Sequence, residues 1–254
     1  MDTARNWIDA NPDLTKDLAQ ARNSELFQSV YSKTEPLVSV CVGTYNREQL
    51  ITARCLPSIL GQTYRNLEVI VVGDACTDNT FDQLKTFRDP RLRYVNLEHR
   101  GEYPDNPKYR WMVAGTKPVN HALRMAQGDF ITHLDDDDEY LPDRIEKLLH
   151  FSLSRRLELA WHPFYMQNAD ESWYIRPCQD LAYGSITTSS CLYHNWFKRI
   201  EWNVNAWKMR EPGDWNRFRK FKHLKVKAAR FPEPLLRHFK ERTQQPSTPV
   251  NSNT

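Results

Sequence analysis

Phe130-Ile131-Thr132-His133-Leu134 runs directly into Asp135-Asp136-Asp137-Asp138. The first five residues form a short, largely apolar run, the mark of a strand buried on both faces. The four that follow are carboxylates that repel one another. Two unit charges ~4 Å apart interact with about 4 kcal/mol at an effective dielectric near 20. Full solvation would lower that cost and leave an ordinary acidic turn. At the end of a buried strand the cost falls less, and a divalent cation would remove it. Hard oxygen ligands suit Mg²⁺ or Mn²⁺. The run is read here as a metal-holding turn. The alternatives are a solvated turn, or carboxylates that complement the N-terminus of the next helix.

Upstream, the same kind of strand recurs. Residues 37–42 and 67–72 are β-branched and apolar and stop at Gly43 and Gly73-Asp74. Residues 92–97 read as a third strand. Between them lie predicted helices across Leu50 to Leu60, after the Thr77-Asp78-Asn79 cap, and across Pro118 to Ala126. Residues 100–116 read as a long loop. Beyond the aspartates, Pro142 is expected in the first turn of a helix whose inner face carries Ile145, Leu148 and Leu149. Strand–helix alternation predicts a mainly parallel sheet covered on both sides. Ligands of such sheets gather beyond the carboxyl ends of the strands. Gly43-Thr44-Tyr45-Asn46, Gly73-Asp74-Ala75-Cys76 and Asp135 to Asp138 should therefore share one rim.

The 254 residues suit one large α/β domain or two small ones, and 40% hydrophobic content supports a buried core. Residues 1–35 read as a polar, partly helical leader and 242–254 as a disordered tail. The net charge of +3 leaves nucleic acid outside the expected partners. Five cysteines without Cys-x-x-Cys spacing indicate neither a disulfide framework nor a zinc site, and reduced thiols suggest the cytoplasm. The first twenty residues lack an apolar signal core, and no window is apolar enough to cross a bilayer, which leaves peripheral membrane contact as the only membrane association considered. Trp196, Trp202, Trp207 and Trp215 read mainly as core, with a sugar or lipid platform as the sharper alternative. The basic stretch from Arg217 to Lys227 reads as a solvated helix face, with a membrane or anionic acceptor as the alternative.

Two further carboxylates stand out. Asp74 ends an apolar strand, where it can accept an N–H from a base or sugar or serve as a turn residue. Asp214, in Arg210-Glu211-Pro212-Gly213-Asp214-Trp215, precedes a helix and can equally be its N-cap.

The stretch from Pro36 to about Leu149 resembles the nucleotide-binding half of glycosyltransferase family 2 enzymes of the GT-A fold. The resemblance is carried by residues 38–47, by residues 58–72, and by Asp74 with Thr77-Asp78-Asn79-Thr80. It continues in Asn120 with residues 126–131, and in residues 134–144. Five blocks in one order cover about half the chain. The second half is similar only at Gly213-Asp214-Trp215. The implied fold is α/β, GT-A type: a Rossmann-like, mainly parallel central sheet with helices on both faces and a smaller mixed acceptor-side region. Residues 36–150 would bind the nucleotide-sugar, and 151–241 would hold the acceptor and the base.

The resemblance implies an inverting transfer from a nucleotide-diphosphate sugar, with a UDP-sugar favoured, to a hydroxyl of a glycan, lipid-linked or small-molecule acceptor. Thr44 and Tyr45 would line the base pocket, and Asp74 would accept the base N–H. Asp135 and Asp136 would reach the ribose or the water shell of a Mn²⁺ or Mg²⁺ ion. Asp137 would ligate that ion, and Asp138 would only be solvated. His238 would lie near the diphosphate or metal, the alternative being a surface or core histidine. Asp214 would be the general base. The chain departs from the family at Gly73, where an acidic residue is usual, at Ala75-Cys76, where Gly-Ser is usual, and at Val119, where an arginine is common. Lys117 is ranked ahead of Arg110 and Arg100 to replace that positive charge. A sugar nucleotidyltransferase would need a glycine-rich phosphate loop, and residues 43–46 hold one glycine. A catalytically silent nucleotide-sugar-binding module is the remaining alternative. Acceptor specificity is expected in residues 160–212 and in the 100–116 loop.

Overall fold

The computed structural model describes residues 12–240. The first eleven residues of the leader and the 242–254 tail lie outside that range. Among the described residues, eleven strands form two sheets: β1 Val38–Thr44, β2 Leu67–Gly73, β3 Leu92–Asn96, β4 Phe130–His133, β5 Glu139–Tyr140, β6 Leu159–Trp161, β7 Phe164–Gln167, β8 Trp173–Arg176, β9 Cys191–His194, β10 Ala228–Arg230 and β11 Leu236–His238. The larger sheet has the order β10-β6-β9-β4-β1-β2-β3. Its strands run parallel except β9, which is antiparallel to both β4 and β6. The fold is thus the expected α/β, mainly parallel sheet. The smaller sheet, β5-β11-β7-β8, is mixed.

The four strands expected from apolar runs are all present. Every residue of β2 and β4 is buried, as a sheet covered on both faces requires. The register pairs Thr44 with Gly73 and Cys41 with His133. It therefore brings the segments after β1, β2 and β4 to one rim. The helix Thr116–Met125 packs on β1 and β2.

Other local expectations are corrected. The 100–116 segment contains a helix, Pro107–Val113, capped by the Asn106 side chain, which accepts from Lys108 N–H and Tyr109 N–H. Asn at the cap and Pro at the first turn are helix-start signals that the surrounding Gly, Pro and Asn obscured. Pro142 precedes its helix, which runs Arg144–Arg155 with Asp143 at the cap. The helix expected across Leu50 to Leu60 is interrupted by a π turn, Ile51–Cys55, just before Leu56–Leu60. Pro57 lacks an N–H and crowds the carbonyl four residues back, which widens the preceding turn. The basic stretch is solvated only in part: Lys222, Lys225 and Lys227 are exposed, but two of its cations are not. Within the helix Gly213–His223, Arg217 is fully buried and Lys220 nearly so. Arg217 donates to Ile200 O at 2.6 Å and lies over the rings of Trp202 and Tyr193.

The leader is strapped to the back of the sheet. Arg22 forks onto Glu158 at 2.6 and 2.7 Å, and Phe27 stacks on His194 with ring centroids 3.9 Å apart. All five cysteines are free and buried. Trp196 and Trp202 belong to the core, as expected, whereas Trp207 and Trp215 are only partly covered. Among the described residues, no helix is long and apolar enough to cross a membrane.

Candidate active site at the sheet rim

β1 delivers Thr44, Tyr45 and Asn46 to the rim. The turn is tight: Asn46 adopts φ of 51°, a region that Asn tolerates better than most residues. Its side chain closes the site's outer wall, accepting from Thr77 N–H at 2.8 Å. Thr44 Oγ1 is buried with no hydrogen-bond partner. It lies close enough to Asp136 to favour that carboxylate's charged form.

β2 delivers Asp74, which is 2% exposed. Its Oδ1 accepts the Gly101 N–H at 2.9 Å, and its Oδ2 lies 3.7 Å from Arg100 Nε. The same guanidinium covers the Tyr45 ring, 3.6 Å from its centroid. Asp74 also faces the Tyr103 hydroxyl, whose ionisation is opposed by burial and then by that carboxylate. Asn96 braces the turn from β3: its Oδ1 accepts from Cys76 N–H at 2.8 Å and its Nδ2 donates to Cys76 O at 2.9 Å. Gly73 departs from the family for a steric reason. A Cβ there would collide with the Phe81 ring and Asn96 Oδ1.

β4 delivers the four aspartates, and their turn sorts them. Asp135 N–H donates to Ser189 Oγ at 3.0 Å. Asp138 is fully buried, which corrects the expectation of a solvated residue. Its oxygens accept from Phe239 N–H at 3.1 Å and bond His238 Nδ1 at 2.8 Å. Asp137 turns the other way and pairs with Arg47, which also approaches Asp136 at 3.7 Å. Arg54 donates to Asp137 O at 2.6 Å and lies over the Phe239 ring.

The electrostatics match a site short of positive charge. Asp135 keeps an open solvent face, but protein crowds its other sides. That loss of hydration, with Asp138 and Asp137 nearby, pushes its carboxyl up to about 8. Burial pushes Asp136 up to about 7 despite Arg47. Burial also raises Asp138, against the pull of His238. Burial disfavours the His238 imidazolium, yet the adjacent Asp138 carboxylate outweighs this and holds it up to about 9. Asp135, Asp138 and His238 each offer a ligand atom, all within 4.8 Å of one another. Two carboxylates and an imidazole so placed fit a hard or borderline divalent cation. Asp137, the ligand singled out from sequence, stands beside this trio with its carboxylate turned to Arg47.

Asp214 sits in the first turn of the helix Gly213–His223. Burial raises its carboxyl, partly offset by the Trp215 N–H that donates to Oδ1 at 2.6 Å. Its charge is felt at Cys191, which follows the Thr188–Ser190 turn. That turn also carries Ser189, the partner of Asp135. Lys117 donates to His99 O at 2.6 Å and to Arg100 O, and so supports the loop over Asp74. Arg110 braces the same loop through Pro104 O and Asp105 O.

Sequence reasoning assigned no role to several supporting residues. Arg144 is wholly buried beneath the aspartates. It donates to Ser189 O at 2.8 Å and to Cys191 O at 3.2 Å, and lies over the Tyr140 ring. Arg47, Arg54, Asn96 and Tyr103 were likewise unassigned. Arg47, inside the first resembling block, and Arg144, at the end of the last, carried a signal that could have pointed to them.

The sequence profile described as "Glycosyl transferase family 2" matches residues 39–104 and 115–226. The UDP-Glc:alpha-D-GlcNAc-diphosphoundecaprenol beta-1,3-glucosyltransferase WfaP of Escherichia coli is 30% identical over 131 residues, which cover 52% of this chain and 47% of that protein. The chain thus spans about half the length of this relative. The chondroitin synthase of Escherichia coli is 33% identical over 130 residues, 50% of this chain and 17% of that protein. Among solved structures, S. aureus TarS 1–349 in complex with UDP-GlcNAc superposes with a TM-score of 0.64 at 20% identity, covering 82% of this chain and 59% of that one. The mannosyltransferase PcManGT of Pyrobaculum calidifontis, in complex with GDP-Man and Mn²⁺, gives a TM-score of 0.59 at 16% identity, covering 93% of this chain and 68% of that one.

Proposed function

Because the chain belongs to glycosyl transferase family 2, we propose that it moves a sugar from a UDP-sugar to an acceptor hydroxyl with inversion at the anomeric carbon. One observation carries this reading: Thr44, Asp74 and Asp135 to Asp138 converge beyond the carboxyl ends of three neighbouring parallel strands. The proposed donor pocket is walled by Tyr45, whose ring Arg100 covers, and floored by Asp74. Uracil offers one N–H donor on its pairing edge, whereas guanine offers an N–H and an amino group together. Asp74 keeps acceptor capacity beside its bond from Gly101 N–H and could take that uracil N–H.

Asp135, Asp138 and His238 would hold a Mn²⁺ or Mg²⁺ ion, with Asp137 the alternative ligand that sequence favours. A divalent cation, when bound, supplies positive charge against the departing diphosphate. The acceptor chemistry falls to Asp214. Its raised carboxyl is a better base than a solvated one. The acceptor O–H gives its proton to Asp214 as its oxygen attacks the anomeric carbon. The bond from that carbon to the diphosphate oxygen breaks on the opposite face, and the nucleoside diphosphate leaves with the electron pair.

A thermal-shift and calorimetry screen with UDP, GDP and dTDP, each with and without Mn²⁺, tests the reading. UDP with Mn²⁺ should give the largest shift. Equal response to all three nucleotides, or none to any, would sink it.

A further inference from the structure

We propose that Tyr183 and Trp215 form a stacking platform for a pyranose ring of the acceptor beside Asp214. The inference rests on reading Asp214 as the base, and it adds the class of acceptor: a sugar rather than a simple alcohol. Tyr183 is 61% exposed and touches the residue that follows that carboxylate. It meets Trp215 edge-on, with ring centroids 6.3 Å apart and planes at 67°. An edge-on pair leaves ring faces uncovered.

The platform is held in place. Trp215 follows Asp214 in the first turn of the helix, and its backbone N–H donates to Asp214 Oδ1 at 2.6 Å, which fixes the carboxylate. The helix start is wedged against the body: a Cβ at Gly213 would already stand 3.4 Å from Met112 O and from Trp202 Cδ1. The loop bearing Tyr183 is fastened at both ends. Lys222 Nζ donates to Leu181 O at 3.2 Å, and Arg176 Nη2 donates to Gly184 O at 2.5 Å. Gly184 takes φ of 69°, where a side chain would be strained. Exposed aromatics on slack loops need no explanation, but one clamped by two cations beside a buried carboxylate does.

The chemistry selects the occupant. One face of a pyranose carries axial C–H bonds with slight positive charge, which suit the negative face of an aromatic ring. Its edge carries hydroxyls, which donate to a carboxylate. A pyranose lying on the aromatic faces with one hydroxyl directed at Asp214 uses both the rings and the carboxylate.

Methyl pyranosides of glucose, galactose, mannose and N-acetylglucosamine serve as probes of the full chain. Saturation-transfer NMR and titration read their binding, and calorimetry with UDP and Mn²⁺ reads the donor side of the same samples. At least one glycoside should bind through its ring C–H protons. Tyr183→Ala should weaken it about fivefold to tenfold, and Tyr183→Phe should keep it within about twofold, since the π face and not the hydroxyl makes the contact. Wild-type affinity in Tyr183→Ala would overturn the platform. So would UDP binding with no glycoside binding, which would leave the donor reading standing. Glycoside binding that depends on Tyr183 without any UDP binding would uphold the platform and sink the donor reading.

Discussion

The guanidinium of Arg100 lies 3.6 Å above the ring of Tyr45, on the face where the proposed donor pocket would stack its base. A base needs about one ring thickness for itself, so it must displace Arg100 from that face. Exposed cation–π contacts contribute roughly 0.5–1 kcal/mol. Arg100→Ala should therefore tighten uridine binding about twofold to fivefold. Uridine is the right probe because it lacks phosphate, which Arg100 would attract. Calorimetric titration that shows weaker uridine binding in Arg100→Ala would mean that the arginine is a wall of the pocket and not its plug.

The acidic trio predicts how metal stabilises the fold. Mn²⁺ at a hundred times its dissociation constant should add about 2.7 kcal/mol, a rise in Tm of roughly 5–10 °C for a chain of this size. Asp138→Asn keeps the acceptor for Phe239 N–H and removes the charge. It should lose most of that rise, as should His238→Ala. Asp137→Ala discriminates between the two ligand assignments. Retention of the Mn²⁺ effect would favour the trio of Asp135, Asp138 and His238, and its loss would favour Asp137.

Asp214→Asn should lower the transfer rate by about 10²–10⁴, the range for losing a general base. UDP affinity should stay near that of the wild type, because the helix start and Trp215 N–H keep an acceptor oxygen. Single-turnover transfer from a UDP-sugar, beside UDP calorimetry, separates the two effects. An undiminished rate would remove Asp214 from the chemistry.

His194 predicts acid sensitivity in the leader strap. Its Nδ1 accepts from Trp196 N–H at 3.1 Å, while Nε2 faces Phe27 O at 3.2 Å, so the neutral ring fits both. Burial lowers it from 6.5 to about 4, partly offset by Phe27 O. Between those values the unfolded chain binds the extra proton and the folded chain does not. The stabilisation is therefore full above pH 6.5 and is lost as pH falls toward 4, at about 1.4 kcal/mol per unit. His194→Asn, which keeps an acceptor for Trp196, should be less stable than the wild type at pH 7. The Tm gap should narrow as pH falls through this window, and a constant gap would refute the assignment.

Ala75 holds φ of 57°, which costs an L-residue roughly 1–2 kcal/mol. Ala75→Gly removes that strain but loosens the unfolded chain, so the net gain should be about 0.5–1 kcal/mol. Denaturant melts check it.

Strands β1, β2 and β4 were legible because burial on both faces leaves a largely apolar run, and β3, only half-buried, was legible from its place in the strand–helix alternation. The small sheet was not, since β5 has two residues and β11 three, too few for any periodicity. The aspartates show a different limit. Identical neighbours carry no hint of which faces inward, and an irregular turn has no period to consult. Asp138 is buried because β11 lies beside it and offers His238 and Phe239, a contact that spans a hundred residues. Arg100 was weighed only as a diphosphate partner, and its place over Tyr45 depends on how the loop after β3 folds back. The helix Pro107–Val113 was legible in principle, from Asn106 and Pro107, and was masked by its setting.

β9 is the strand that runs against the rest, and it has β4 on one side and β6 on the other. The stretches 36–150 and 151–241 are therefore zipped into one ladder and are not hinged modules. A fragment ending near residue 150 would leave the backbone of β4 bare along one side, an open invitation to self-association. Shuffling acceptor halves between relatives would have to preserve that seam, and co-expressed halves should reassemble only when β9 is intact.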